Sequence, residues 1–79
     1  MIVVKVTKED IRKGRPGMWH MCPIALALNR ATGKEWTVDG RGAENKDGGR
    51  VILPQNARDF IGRFDQVAEG NPFEFSIEE

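Results

Sequence analysis

His20 and Cys22 are the residues of this chain best suited to nucleophilic chemistry, because an imidazole beside a thiolate is the core of a cysteine hydrolase site. They are the only histidine and the only cysteine. Cys22 and Pro23 begin an apolar run, and the pKa of a thiol is lowered at a helix N-terminus. No second histidine is available, so the sequence favours a small buried residue at a helix start over a nucleophile. We therefore expect no catalytic residue.

The sequence supports metal binding even less than it supports a nucleophilic site. One cysteine and one histidine cannot fill a structural zinc site, which needs four ligands. The sequence therefore predicts neither a metal site nor a cofactor.

A glycine-rich segment, residues 39–50, contains Gly40, Gly42, Gly48 and Gly49. A phosphate-binding loop would need its glycines between a strand and a helix, with Lys-Ser or Lys-Thr at the end. This segment lies between two predicted strands and has no such ending. It predicts a flexible hairpin loop, and a mobile binding tip is the alternative.

Charge is balanced overall but divided unevenly. The chain has 12 basic and 12 acidic residues, of which residues 1–50 hold ten basic and six acidic ones. The basic segment 5–15 suggests an alternative nucleic-acid-binding function for its cations, which are Lys8, Arg12, Lys13 and Arg15. Glu9 and Asp10 dilute this charge, so such binding would be weak and sensitive to salt.

Hydrophobic periodicity predicts the secondary structure. The most strongly marked element is a buried helix after Cys22, because Pro23 suits the first helical turn and Gly33 suits a left-handed C-cap. A capping box from Thr7 to Asp10 predicts a short helix that ends at Gly14. The remaining predicted elements are strands over 2–6, 34–38, 51–53 and 73–78 and a helix over 55–69.

The order of the principal elements is strand, helix, strand, strand, helix, strand. Right-handed crossovers would place both helices on one face of a four-stranded antiparallel sheet. We therefore predict a single α+β domain over residues 1–79, a ferredoxin-like two-layer sandwich with βαββαβ topology.

The positions of the aromatic residues indicate which surfaces could bind RNA and which could bind protein. Alternation places Trp36, Phe73 and Phe75 on the inner face of the sheet, so no aromatic platform for stacking RNA bases is expected. Trp19 lies in the 15–21 loop between two methionines, and tryptophan and methionine are enriched in protein interfaces. Trp19 is therefore a candidate protein contact. Packing of its indole over the start of the buried helix is the alternative.

Other features limit the class of protein. No apolar run approaches the length of a membrane span, and the N-terminus lacks the pattern of a signal peptide. A single cysteine permits no internal disulfide. We expect a cytoplasmic protein, monomeric or homodimeric, that has no contact with membranes.

Two stretches carry a resemblance: V-x-V-T-x-E-x-I over residues 4–11 and C-P-I-A-L-A-L-x-R-A over residues 22–31. Together they resemble small proteins encoded by bacteriophages and prophages. The resemblance implies a non-enzymatic inhibitor that docks on a complex in the cytoplasm of the host cell, with anti-CRISPR proteins as the prominent class. It assigns a role to no individual residue.

An inhibitor of this kind could occupy the positively charged nucleic-acid channel of a CRISPR effector. Such an inhibitor would act by steric and electrostatic occlusion, and the acidic residues of this chain would make the contact. With Trp19, the candidate partner-binding residues are Asp59, Asp65, Glu69, Glu74, Glu78 and Glu79.

Overall fold

A computed structural model describes residues 1–78 of the chain. Within that range the protein forms three helices and five strands in a mixed α+β arrangement. In chain order they are β1 (Ile2–Val6), α1 (Lys8–Lys13), α2 (Pro23–Thr32), β2 (Trp36–Val38), β3 (Gly42–Asn45), β4 (Arg50–Ile52), α3 (Gln55–Val67) and β5 (Phe73–Ile77).

Helix α2 forms the centre of the core. Sγ of its N-cap residue, Cys22, accepts a hydrogen bond from the N–H of Ala25 at 3.4 Å, and Gly33 ends the helix with a φ of 75°. The helix packs against α1, β1 and β2. The predicted helix and both of its ends are confirmed, because each depends on signals within a few residues.

The short helix α1 begins with the predicted capping box. Oγ1 of Thr7 accepts from the N–H of Asp10 at 3.2 Å, and Oδ2 of Asp10 accepts from the N–H of Thr7 at 2.9 Å. The Asp10 side chain is buried. It therefore needs partners for both carboxylate oxygens.

Arg30, in the last turn of α2, supplies those partners. Its Nη1 and Nη2 donate to the two carboxylate oxygens of Asp10 at 2.7 and 2.8 Å, and Nη2 also donates to the carbonyl of Lys5 at 2.6 Å. Burial alone would raise the pKa of Asp10, but the guanidinium and the Thr7 N–H outweigh it and hold that pKa below its ordinary value. One side chain thus joins α2, α1 and β1.

The strands form two separate antiparallel sheets. Strands β1 and β5 make a two-stranded ribbon in which Val4 lies opposite Phe75, while β2, β3 and β4 make a three-stranded meander. The prediction of one four-stranded sheet is wrong. Strands β2 and β4 pair neither with each other nor with the ribbon, because residues 39–50 supply the additional strand β3, which pairs with both of them.

Strand β3 lies within the segment predicted to be a flexible loop, and that prediction is wrong. Turns at both ends of β3 are held by side chains. Oδ1 of Asp39 accepts from the N–H groups of Arg41 and Gly42, both at 2.8 Å, and Oδ2 accepts from Nη2 of Arg50 at 2.8 Å. The Arg41 N–H, the Arg50 guanidinium and the Gly42 N–H lower the pKa of Asp39 to about 2.

Helix α3 covers the core with phenylalanines. Phe60 stacks on Phe64, with ring centroids 5.8 Å apart, and contacts Phe73 of β5 at 4.9 Å. The helix ends two residues earlier than predicted, with Ala68 in the left-handed region at a φ of 55°. Gly70 allows the Phe60 ring to pack closely against the backbone, because a Cβ there would approach that ring to 2.5 Å.

We expect Asp10→Asn to destabilise the protein by about 2 kcal/mol, measured by urea unfolding. The amide can still accept from Thr7, but it leaves Arg30 without its charged partner. The cost falls below that of a fully buried pair because the Arg30 side chain is 51% exposed. Since the folded pKa of Asp10 is lowered, its stabilisation is complete above the ordinary value of 3.8 and is lost as the pH falls through the folded value.

Glu9→Gln is the matched control, because Glu9 pairs with Arg12 and Lys13 on the exposed side of the same helix. Exposed pairs of this kind contribute little, so no measurable change is expected. The difference in stability between Asp10→Asn and the wild type should also shrink below about pH 4. Equal effects of the two substitutions would contradict the role given to Asp10.

We expect Gly42→Ala to destabilise the protein by about 1–3 kcal/mol, because a Cβ at this position would overlap the carbonyl oxygen of Val51 on β4. Gly40→Ala in the adjacent turn is the control, since nothing lies within 4 Å of its Cβ position. Thermal unfolding of both variants tests the pairing of β3 with β4. Equal midpoints would contradict the close approach of Gly42 to the Val51 carbonyl of β4.

Candidate protein-binding site

The 15–21 loop presents a large aromatic side chain to solvent. The indole of Trp19 is 69% exposed, and Met18 beside it is also exposed. The Trp19 ring is therefore not buried over the start of α2, which was the alternative interpretation. An exposed tryptophan is a feature of protein interfaces, in which aromatic anchors carry much of the binding energy.

Hydrogen bonds at both ends and in the middle hold this loop in place. The N–H of Arg15 donates to the carbonyl of Met21 at 2.9 Å, which closes the base of the loop. The carbonyl of Trp19 accepts from the N–H of Val38 on β2 at 2.9 Å. Oδ1 of Asp65 on α3 accepts from the N–H of Gly17 at 3.1 Å. The backbone of the loop is thus fixed to β2 and α3, and the loop presents Trp19 to solvent.

A small cleft of about 70 Å³ lies beside Trp19, with Cys22, Val38, Ile61 and Asp65 among its lining residues. Burial raises the pKa of the Cys22 thiol, against the lowering predicted from the helix N-terminus. The thiol is thereby kept protonated, which is unfavourable for a nucleophile.

His20 lines a different and larger cleft, of about 490 Å³. No hydrogen bond joins His20 to Cys22 within the described residues. Asn29, Trp36, Asn45, Glu44 and the ion pair of Glu35 with Lys46 also contribute to this cleft. The pair that the sequence suggested for chemistry is therefore divided between two surfaces.

The predicted acidic residues do not form one uninterrupted patch. Asp65 lies beneath the Trp19 loop, whereas Asp59 and Glu69 line separate clefts that both include Arg63. Glu74 lies opposite Lys5 in the ribbon. Glu78 is exposed after β5, and Glu79 lies outside the described residues. Of the acidic set, Asp65 alone among the described residues shares a cleft with Trp19.

The predicted basic residues lie on or next to α1. The carboxylate of Glu9 accepts from Nη2 of Arg12 at 2.6 Å and pairs with Nζ of Lys13 at 3.2 Å. These contacts lower the pKa of Glu9, so it stays charged. Lys8 and Arg15 are exposed beside this group. One acidic residue therefore offsets part of the basic segment.

Comparison with protein family models, with curated proteins and with solved structures finds no match to this chain. None of the helices within residues 1–78 combines the length and the apolar character that crossing a bilayer requires. Within the same range, no group of three potential metal-ligating side chains comes together.

Sequence reasoning did not identify two asparagines, Asn29 and Asn45, as candidate site residues. Asn45 is only 4% exposed, although it stands in a segment of glycines and charged residues. The available signal was its position before Asp47-Gly48, where an asparagine oxygen commonly accepts turn N–H groups. That signal indicates a turn but not a buried strand end.

We expect Asp65→Ala to loosen the Trp19 loop without unfolding the protein. Removal of the carboxylate leaves the Gly17 N–H to water, so its hydrogen exchange should accelerate about tenfold, as measured by NMR. Asp59→Ala on the same helix is the control, because the Asp59 carboxylate accepts from Gln55 and not from the loop. Unchanged exchange at Gly17 in the Asp65 variant would show that α3 does not hold the loop.

Proposed function

We propose that this protein acts by binding another protein, with Trp19 at the centre of the contact, and that it is not an enzyme. The observation that carries the proposal is the exposure of a tryptophan on a loop fixed by hydrogen bonds to β2 and α3. A loop that is already ordered loses little conformational entropy when it binds. An aromatic anchor on such a loop is therefore suited to a specific interface.

The resemblance of residues 4–11 and 22–31 to bacteriophage proteins supports a more specific form of this proposal. In that form the protein inhibits a host macromolecular complex, such as a CRISPR effector, by steric occlusion. Asp65 has a positioning role because it holds the loop that carries Trp19.

Electrostatic occlusion by the acidic residues has less support than steric occlusion. Arg63 lies between Asp59 and Glu69, and Lys5 lies opposite Glu74, so cations interrupt the acidic surface. Interspersed charges weaken the field that would steer the protein to a basic channel. The interface therefore depends on shape and apolar contact at Trp19 more than on net charge.

We expect Trp19→Ala to weaken capture of the partner at least about 30-fold, because truncation of an interface anchor typically costs about 2 kcal/mol or more. The experiment is an affinity pull-down from bacterial lysate with and without nuclease treatment, at low and moderate salt, followed by titration of the recovered complex. Ile52→Ala is the matched control, since Ile52 is also 69% exposed but lies on β4. It should retain full binding.

Two outcomes would contradict the proposal. Equal capture by the wild type and Trp19→Ala would remove Trp19 from the interface. Recovery of nucleic acid alone, lost as the salt concentration rises, would instead favour binding through Lys8, Arg12, Lys13 and Arg15.

A further inference from the structure

The 490 Å³ cleft beside His20 contains polar groups that lack partners. Asn45 is buried, and its Oδ1 accepts from the N–H groups of Asp47 at 2.9 Å and Gly49 at 3.0 Å. These two donors identify the oxygen, so the other end of the amide must be Nδ2. Among the described residues, no acceptor receives a hydrogen bond from this nitrogen.

Asn29, which also lines the cleft, shows the same arrangement. Its Oδ1 accepts from the N–H of Trp36 at 2.8 Å. Its Nδ2 likewise donates to no atom within residues 1–78. Two amide NH₂ groups whose orientation is fixed by their own oxygens therefore contribute donors to one cleft.

Trp36 contributes an acceptor between them. The N–H of Asn45 donates to the carbonyl of Gly49, so the Trp36–Asn45 pair makes no hydrogen bond between β2 and β3. The N–H and carbonyl of Trp36 must then point to the free edge of β2. The N–H of Trp36 donates to Oδ1 of Asn29. No donor within the described residues bonds the Trp36 carbonyl.

The free groups on the inner wall are thus two neutral donors and one neutral acceptor, while the charged residues Glu35, Glu44 and Lys46 are exposed. Neutral donors beside a neutral acceptor complement a group that carries both a carbonyl and an N–H. A free carboxylate or ammonium would instead require a charged partner at the wall.

From this arrangement we infer that the cleft binds the main-chain amide groups of an extended segment of a protein partner. One residue of the segment turns its carbonyl and its N–H to the same side, as in an extended strand: the carbonyl accepts from Nδ2 of Asn45 or Asn29, and the N–H donates to the Trp36 carbonyl. This inference deepens the proposed function, because it specifies the chemistry that a partner presents next to the Trp19 loop.

The test is an NMR titration of the ¹⁵N-labelled protein with N-acetylalanine N-methylamide. The side-chain NH₂ signals of Asn29 and Asn45 should shift in a saturable manner, with a Kd of about 1–10 mM, as expected for so small a probe. N-acetylproline dimethylamide, which has both carbonyls but no N–H, should bind at least about threefold more weakly. This comparison uses the wild-type protein and needs no substitution.

Asn29→Asp and Asn45→Asp test the donors while keeping each Oδ1 acceptor for the chain's own N–H groups. Each variant should bind the amide at least about fivefold more weakly. Asn71→Asp, the same chemical change at an exposed position outside the cleft, is the matched control and should bind as the wild type does.

Three results would overturn the inference: no shift of the two NH₂ signals, equal affinity for the probes with and without an N–H, or tighter binding of uridine, which would make the cleft a nucleobase site. Ile52→Ala should leave amide binding unchanged, because Ile52 lines neither this cleft nor the one beside Trp19. Failure of the amide to bind while capture still depends on Trp19 would refute this inference and leave the proposed function intact.

Discussion

The bidentate pair of Asp10 and Arg30 is the interaction on which the arrangement of the N-terminal half depends. Strand β1 has only β5 as a partner, and an isolated two-stranded ribbon is marginally stable in water. Arg30 donates to the Lys5 carbonyl of β1, and Asn56 of α3 donates to the Glu74 carbonyl of β5 at 3.2 Å. Each strand of the ribbon therefore has a carbonyl bonded by a helix side chain, which explains how the ribbon persists without further strands.

Helix α2 connects this ribbon to the three-stranded meander. Its last turn holds Arg30 on one side and, on the other, Thr32, whose Oγ1 accepts from Nε1 of Trp36 at 2.7 Å. The Trp36 indole is almost fully buried, so its N–H requires this partner. A chain of 79 residues buries a limited apolar surface. Polar contacts at one helix end therefore position both sheets against a single core.

The sequence predicted local structure better than sheet pairing. The reason is that helix caps depend on residues a few positions away, whereas strand pairing depends on residues far apart in the chain. The caps at Thr7, Cys22 and Gly33 depend on residues three or four positions away, and all three are confirmed. Strand β3 has the sequence Gly-Ala-Glu-Asn, which carries little strand propensity. It forms because Asp39 and Asn45 fix the turns and Arg50 reaches back across the meander, and its presence replaced the predicted four-stranded sheet with two sheets.

The two candidate surfaces have one structural origin, which sequence patterns could not have revealed. Asp65 holds Gly17 from 48 positions along the chain, and this contact places the Trp19 carbonyl against the N–H of Val38. The loop therefore meets the free edge of β2 at Val38 alone, with the Trp19 ring on one side of the contact and His20 on the other. At the next edge position the Trp36 carbonyl stays open. The free edge of β2 thus carries both the loop that presents Trp19 and the unpaired acceptor of the polar cleft, so a partner that reaches both surfaces would contact one edge of the sheet.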